Sequence, residues 1–194
     1  ERGRAALQTD GWREIEMLHV YERDGLPALR PAPVQNIAVH ADGVNPVVAG
    51  LAAAAVVTGF NGRLWRDQGV ASEDAARAYG QWAIAAWLAP DTVRWVAHWC
   101  GQPAGFLMIR HENRGSRIIF FAVRPEMRGR GIARALLANA LAVTGDRLVA
   151  GTQHDNVAAI RLYITHGFKL IERLRTFHKP SAPSPTPAPA PSPT

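Results

Sequence analysis

Cysteine is almost missing from this chain. Cys100 is the single one, so no disulfide can form within it, which fits a reducing compartment such as the cytoplasm. The sequence also lacks a run of the ~20 apolar residues that a membrane span needs. Its longest apolar stretch, Pro46–Phe60, is rich in Ala and reads as a buried helix. No signal-peptide pattern opens the chain, and Glu1 stands where an initiator Met is expected, as in a processed product or a fragment of something longer. Aromatic residues are 8% of the total and are not interleaved with basic clusters, which removes support for nucleic-acid binding. No metal site is expected.

What is present is an ordinary soluble balance, 47% hydrophobic and 20% charged over 194 residues, enough for one domain with a substantial core. Twenty-two basic residues against 16 acidic ones give a net charge of +6. That charge favours anionic partners: a polyphosphate cofactor, a nucleotide-linked substrate or nucleic acid. A solvated basic surface accounts for it equally well.

Punctuation divides the chain into three. The first 34 residues form an N-terminal segment in which Glu1–Leu7 reads as the end of a helix and Trp12–Arg23 as a strand or irregular layer. Prolines 27, 31 and 33 then mark a boundary near Ala32–Gln35. Residues 35–179 alternate strands and helices. Gln35–His40 reads as a strand, and Pro46–Gly59 as a helix begun by Asn45. After the polar stretch Asn61–Ala71, a second helix starts at Ser72, with Glu73 and Asp74 suited to its first turn, and Pro90 stops it. Val93–Trp99, Ala104–His111 and Ser116–Val123 form a meander with short Gly- and Pro-bearing connections that favour antiparallel pairing. A helix near Gly129–Thr144, a strand at Arg147–Thr152, a helix near Val157–His166 and a strand at Phe168–His178 complete the pattern. The expected fold is α/β (α+β), a mixed, mostly antiparallel sheet flanked by helices. The last fifteen residues, 180–194, contain only Pro, Ala, Ser and Thr, seven of them proline, and read as an extended, solvated tail or linker.

The chemistry concentrates after the third meander strand. The sequence Val123-Arg-Pro-Glu-Met-Arg128-Gly129-Arg130-Gly131-Ile132-Ala133 leads from a buried-looking strand into a helix whose apolar stripe is Ile132, Ala135, Leu136, Ala140 and Val143. Gly129 and Gly131 remove side chains where the backbone turns, so a phosphate can approach the free amides of the helix start. The helix dipole, Arg128 and Arg130 favour negative charge there. No Gly-Lys-Ser/Thr is present, which excludes a P-loop, and Arg134 stands where the dinucleotide fingerprint needs Gly or Ala. A plain glycine-bearing turn is the alternative reading.

About twenty-five residues later comes Gly151-Thr-Gln-His154-Asp-Asn156-Val-Ala-Ala-Ile-Arg-Leu-Tyr163-Ile-Thr-His-Gly167-Phe168. Asn156 is placed to cap a helix and Gly167 to end it. Asn156 and Tyr163 are seven residues apart, two turns and roughly 10 Å along one side. A simple cap and a packed aromatic are the alternatives.

The pair of segments resembles the GNAT acyltransferase superfamily. Arg128-x-x-Gly131-x-Ala133 after Val-x-Pro is similar to its acetyl-CoA signature, and Asn156-x-x-Ala159-x-x-x-Tyr163-x-x-x-Gly167-Phe168 to its second cofactor motif. The resemblance implies a GNAT fold, acetyl-CoA as cofactor and an N-acetyltransferase. It further implies that the backbones of Ala122 and Val123 hold the pantetheine arm. Residues Arg128, Gly129, Arg130, Gly131, Ile132 and Ala133 then hold the phosphates, with Asn156 beside them. It assigns Tyr163 as the acid that protonates the departing thiolate, and a backbone N–H near Phe121–Val123 as the oxyanion donor.

Many members carry a Glu on the strand before the loop; Phe120 and Phe121 stand there in this chain. His154, His98, His111 or a water chain remain as candidates for the base, and Cys100 as a far less favoured nucleophile. The acceptor is expected to be a small-molecule amine. Thr152-Gln153-x-x-Asn156-x-Ala158-Ala159-x-Arg161-Leu162-Tyr163-Ile164 is similar to the TDP-fucosamine acetyltransferase group, as is Gly59-Phe-Asn-Gly-Arg63 followed by Tyr79-Gly-Gln-Trp82. That implies a nucleotide-linked amino sugar, with Arg63 and His154 as substrate-binding candidates. Acetylation of a protein N-terminus, a lysine or an antibiotic amine stays open, as do a catalytically silent acyl-CoA-binding module and a homodimer.

Overall fold

The structure, a computed structural model, describes residues 2–25, 36–41, 62–144 and 147–179. The helix expected at Pro46–Gly59, the boundary near Ala32–Gln35 and the proline-rich tail lie outside the described residues. In chain order the elements are α1 (Arg2–Thr9), β1 (Arg13–Arg23), β2 (Ile37–Ala41), α2 (Arg63–Arg66), α3 (Ser72–Leu88), β3 (Thr92–Trp99), β4 (Gln102–Glu112) and β5 (Gly115–Val123). A 3-10 turn at Pro125–Met127 follows, then α4 (Ile132–Thr144), β6 (Leu148–Gln153), α5 (Val157–Thr165) and β7 (Lys169–His178). None of the described helices is long and apolar enough to cross a membrane.

The described strands form one seven-stranded sheet in the order β2-β3-β4-β5-β6-β1-β7. All neighbouring pairs are antiparallel except β5 with β6. Mixed and mostly antiparallel, with helices on its faces, this is the expected architecture. One placement goes beyond the expectation. β1 comes from the N-terminal segment, yet it lies inside the sheet, with Leu18 opposite Gln153 of β6 and Leu174 of β7. The N-terminal segment is thus woven into the sheet formed by the later strands.

Local chemistry explains most boundaries. α3 begins with Glu73 and Asp74, which suit the positive end of its dipole, and ends at Ala89, extended ahead of Pro90. The polar stretch before α3 holds one helical turn, α2, that pattern reading did not resolve. It is secured by a hydrogen bond from the Leu64 amide to the Tyr79 hydroxyl, 3.2 Å. Between β3 and β4 the turn residues Cys100 (φ 47) and Gly101 (φ 79) both take the left-handed region. This is the mirror-image two-residue hairpin turn that matches strand twist.

Each face of the sheet buries its own core. On one side Leu107, Ile109, Ile118 and Leu148 pack under Ile132, Leu136, Leu137 and Ala140 of α4 and Tyr163 of α5. Leu137 joins the stripe read from the sequence. On the other side Val96, Phe106, Met108 and Phe120 meet Tyr79, Ala83, Ala86 and Trp87 of α3. Each large side chain buried in this way stabilises the fold by about 1.5–3 kcal/mol. Two packed faces hold the sheet rigid around the place where it opens.

Candidate active site

That opening lies between β5 and β6. They pair in parallel only from Ser116 opposite Leu148 to Ile118 opposite Ala150. β5 continues to Val123 on the β4 side, with Ala122 opposite Phe106 and Val123 opposite Gly105. Beyond Ile118, the edge of β5 that faces β6 therefore offers backbone groups without a strand partner among the described residues. An extended, amide-bearing arm can add there as a pseudo-strand. Gly105 lets the layers close beneath this point: a Cβ there would stand 2.8 Å from the Ala122 carbonyl oxygen and 3.3 Å from Ile132.

The glycine loop sits at the end of that edge. Gly129 (φ 76) and Gly131 (φ 82) both adopt the left-handed region, which costs an L side chain about 1–2 kcal/mol. Among the described residues nothing lies within 4 Å of a Cβ at Gly129, and at Gly131 only Ile37 reaches 4.0 Å. The loop is open toward solvent. Its second glycine accepts the first helical hydrogen bond, Ala135 amide to Gly131 carbonyl, 3.0 Å, so the amides of Ile132 and Ala133 have no intrahelical acceptor. α4 begins at Ile132, three residues after Gly129, because the two glycines wind the chain the other way first.

The arginines take different tasks. Nε of Arg128 donates to the Val123 carbonyl, 3.3 Å, tying loop to strand. The guanidinium of Arg130 lies over the Trp99 ring, 5.1 Å from its centre. Their charges remain beside the loop, as an anionic ligand requires. Coenzyme A fits this chain on two grounds: the cradle is open where a diphosphate must sit, and the unmatched edge of β5 can accept a peptide-like arm.

α5 supplies the second part. Asn156 caps it, its side-chain oxygen accepting from the Ala159 amide at 3.2 Å, and Gly167 (φ 82) ends it. Tyr163 is 3% exposed, its ring 5.8 Å from Tyr21 and 5.3 Å from Phe168. Burial pushes its phenol well above the ordinary value, so the group is neutral and protonated across the physiological range. A proton donor must be in that state.

The other sequence candidates scatter. His111 bonds Ser116 through Nδ1, 3.0 Å, at the start of β5. Val123 is seven residues further on, roughly 23 Å away at about 3.3 Å per residue, so His111 lies far from the end of β5 that adjoins the glycine loop. His98 faces His40 across the β2–β3 edge, ring centres 5.8 Å apart, and Cys100 is exposed in the adjoining turn. The reading of Cys100 as a nucleophile finds no support there, with β4 and β5 between it and β6. His154 follows β6 directly, exposed, with its ring 6.3 Å from that of His19. Arg63 is exposed at the first position of α2. Arg66 of α2 forms a two-pronged bond with Asp155, 2.9 and 3.0 Å, which ties α2 to the loop that carries His154.

Sequence reading missed the contribution of β1. It places Tyr21 against Tyr163, His19 beside His154, and Glu16 beside Gln153, whose Nε2 donates to the Glu16 carboxylate at 3.3 Å. Burial, with Arg173 and His154 adding to it, holds the His19 imidazole below its usual range. No local motif marks these residues. Glu16, His19 and Tyr21 are scattered among the other polar residues of the strand, Arg13, Glu14, Glu22 and Arg23, so the sequence pattern does not single them out.

Residues 60–168 match the model of the acetyltransferase (GNAT) family, more than half of the 194-residue chain. The chain belongs to that family. A comparison with curated protein sequences finds no match. Among solved structures, a conserved protein of unknown function from Staphylococcus epidermidis superposes with a TM-score of 0.70 at 17% identity, covering 94% of this chain and 68% of the other. A GCN5-related N-acetyltransferase from Sphaerobacter thermophilus gives 0.62 at 19%, covering 91% and 55%. A tandem GNAT protein of the clavulanic acid biosynthesis pathway gives 0.61 at 14%, covering 91% and 58%. This GNAT chain thus shares its fold with proteins of which it spans between 55% and 68% of the length.

Proposed function

We propose that this chain transfers the acetyl group of acetyl-CoA directly to a primary amine, and that the acceptor is a nucleotide-linked amino sugar. The observation that carries the transfer is the parting of β5 from β6 after Ile118, with an open two-glycine loop at one end and a protonated phenol on the neighbouring helix.

Acetyl-CoA supplies a thioester, whose carbonyl carbon is the site of attack. Backbone amides of Gly131, Ile132 and Ala133 hold its diphosphate, supported by the helix dipole and the charges of Arg128 and Arg130. The edge of β5 at Ala122 and Val123 aligns its arm, and fixed alignment of two reactants removes much of the entropic barrier. A main-chain N–H of the same edge faces the oxygen that gains charge. Tyr163 holds the proton that sulfur needs as it leaves. Asn156 fixes the start of the helix that carries Tyr163.

Support for a nucleotide sugar comes from α2. Arg63 is exposed there, while Arg66 is paired with Asp155, so the cation this surface offers is Arg63. A diphosphate-linked acceptor suits that surface. The test is a free-thiol release assay with acetyl-CoA and a panel of amines that includes TDP-amino sugars, peptides and aminoglycosides. Turnover on TDP-amino sugars above all others is expected. Turnover on peptides alone removes the sugar reading, and a failure of coenzyme A to bind in calorimetry removes the transfer itself.

A further inference from the structure

Glu16 is a buried carboxylate that the scheme above leaves unused. It is 8% exposed, and among the described residues its one side-chain hydrogen bond comes from the neutral amide of Gln153, 3.3 Å. The acid two residues before it is neutralised quite differently: Glu14 is paired with both Arg4, 2.8 Å, and Arg175, 2.5 Å. Among the described residues no cation makes an ion pair with Glu16. An ionised carboxylate held out of water costs several kcal/mol unless a positive charge joins it. The position is therefore built to receive one.

Its surroundings say from where. Gln153 is the last residue of β6, and Asn156 opens α5 three residues later. Glu16 thus lies at the open end of the strand that bounds the cleft, opposite Thr176 of β7. The face it shares belongs to α2 and α3: its charge raises the phenol of Tyr79, after the larger effect of burial there, while Arg63 and Arg66 act on that phenol in the opposite sense. The charged groups around Glu16 are accounted for element by element. On α2 Arg66 is engaged by Asp155. On β7 Arg175 is engaged by Glu14. His154, in the loop after β6, turns its ring toward His19. Arg63 stands exposed at the start of α2.

We propose that Glu16 binds the acceptor as an ammonium ion and takes its proton before transfer. This rests on the acetyl-transfer reading and deepens it by naming the charge of the substrate and the base that acts on it. One N–H bond of the R–NH3+ group breaks, its electron pair stays on nitrogen, and the proton passes to a Glu16 carboxylate oxygen. The products are a neutral carboxylic acid and a neutral amine with the lone pair that attack on a thioester requires. Gln153 orients the carboxylate through its amide. The proton later leaves Glu16 to solvent, restoring the charge that attracts the next ammonium. An acceptor with a cationic amine at its inner end and a diphosphate at its outer end meets Glu16 and Arg63 in that order.

Two measurements test this on the full chain. The first compares Glu16→Gln and Glu16→Asp with the parent in thiol release across pH 5–9, with the best amine of the panel. Glu16→Gln should lower kcat/KM at least 100-fold at pH 7 and abolish the acid limb of the pH profile. Glu16→Asp should restore part of the rate, and coenzyme A affinity by calorimetry should stay within twofold for both. A Glu16→Gln rate within threefold of the parent overturns the proposal. The second measurement needs no turnover: calorimetric binding of each TDP-amino sugar against its TDP-sugar analogue with hydroxyl in place of amine. The parent should prefer the amine at least tenfold, and Glu16→Gln should erase that preference. Should no amine turn over, acetyl transfer falls, yet a preference erased by Glu16→Gln still upholds the ammonium site. Absence of any preference in the parent overturns it.

Discussion

Tyr163→Phe separates an enzyme from a silent acyl-CoA-binding module. The substitution removes one oxygen and keeps the ring, so the contacts with Tyr21 at 5.8 Å and Phe168 at 5.3 Å survive. The stability change should stay near 1 kcal/mol, the net worth of a single hydrogen-bonding group, which moves Tm by about 2–4 °C in a chain of this size. The chemical loss should be far larger. A positioned proton donor contributes about 10²–10⁴ in rate, or about 3–5 kcal/mol of barrier at about 1.4 kcal/mol per decade. The cofactor grip proposed above is made of main-chain amides on another helix, and the cap at Asn156 is untouched, so coenzyme A affinity should not move. The assay is single-turnover thiol release with saturating amine, paired with calorimetry of coenzyme A. Turnover within threefold of the parent refutes the role of the phenol. An equal loss of coenzyme A affinity refutes it too, since the tyrosine would then be serving the binding of cofactor.

Three further outcomes can be measured. Gly131→Ala forces a left-handed residue, costing about 1–2 kcal/mol; Tm should fall by a few degrees and coenzyme A affinity by more than tenfold, and an unchanged affinity in calorimetry speaks against the amide cradle. Gly115→Ala strikes a different place: φ is 114 and the added Cβ would lie 2.9 Å from that of Arg147, so crowding and backbone strain should together cost about 3 kcal/mol, read as a Tm loss of roughly 6–12 °C. The Asp67 carboxyl is held below its usual range, chiefly by its hydrogen bond with His178 and then by the Gly69 amide. Its folded value is the lower one, so its contribution is full above the unfolded pKa of about 4 and is lost as pH falls through the folded value. Urea midpoints measured from pH 2 to 7 should show a shallower acid decline for Asp67→Asn than for the parent; identical declines would place the acid sensitivity elsewhere.

The proposed cofactor half of the site was legible because its determinants are local. Gly129 and Gly131 announce the backbone turn, Ile132 to Ala140 the helix behind it, and Asn156 to Gly167 a complete capped helix within twelve residues. Periodicity and capping act over one to three turns, the range that sequence inspection resolves. The strands of the meander were legible for the same reason, since each is joined to the next by a turn of two residues. Only pairing information was missing: nothing in Ser116–Val123 announces that β6 leaves it after Ile118. That parting depends on how two faces of a twisted sheet are packed by α3 and α4, a property of the assembled core.

The proposed acceptor half was hidden for a reason that also bears on its use. Glu16, His19 and Tyr21 sit on a strand more than 120 residues upstream of β6 in sequence, and they reach the opening only because β1 enters the sheet between β6 and β7. Alternation within Arg13–Arg23 shows a strand but not its neighbours, and a one-residue slip would turn each of these side chains to the opposite face. The register observed fixes Leu18 opposite Gln153 and so brings Glu16 to the mouth of β6. The loop proposed to hold phosphate hangs instead on β5 and α4, and β1 is not a neighbour of β5 in the sheet order. Substitutions on β1 can therefore alter which amine is received while the grip on the cofactor stays as it is.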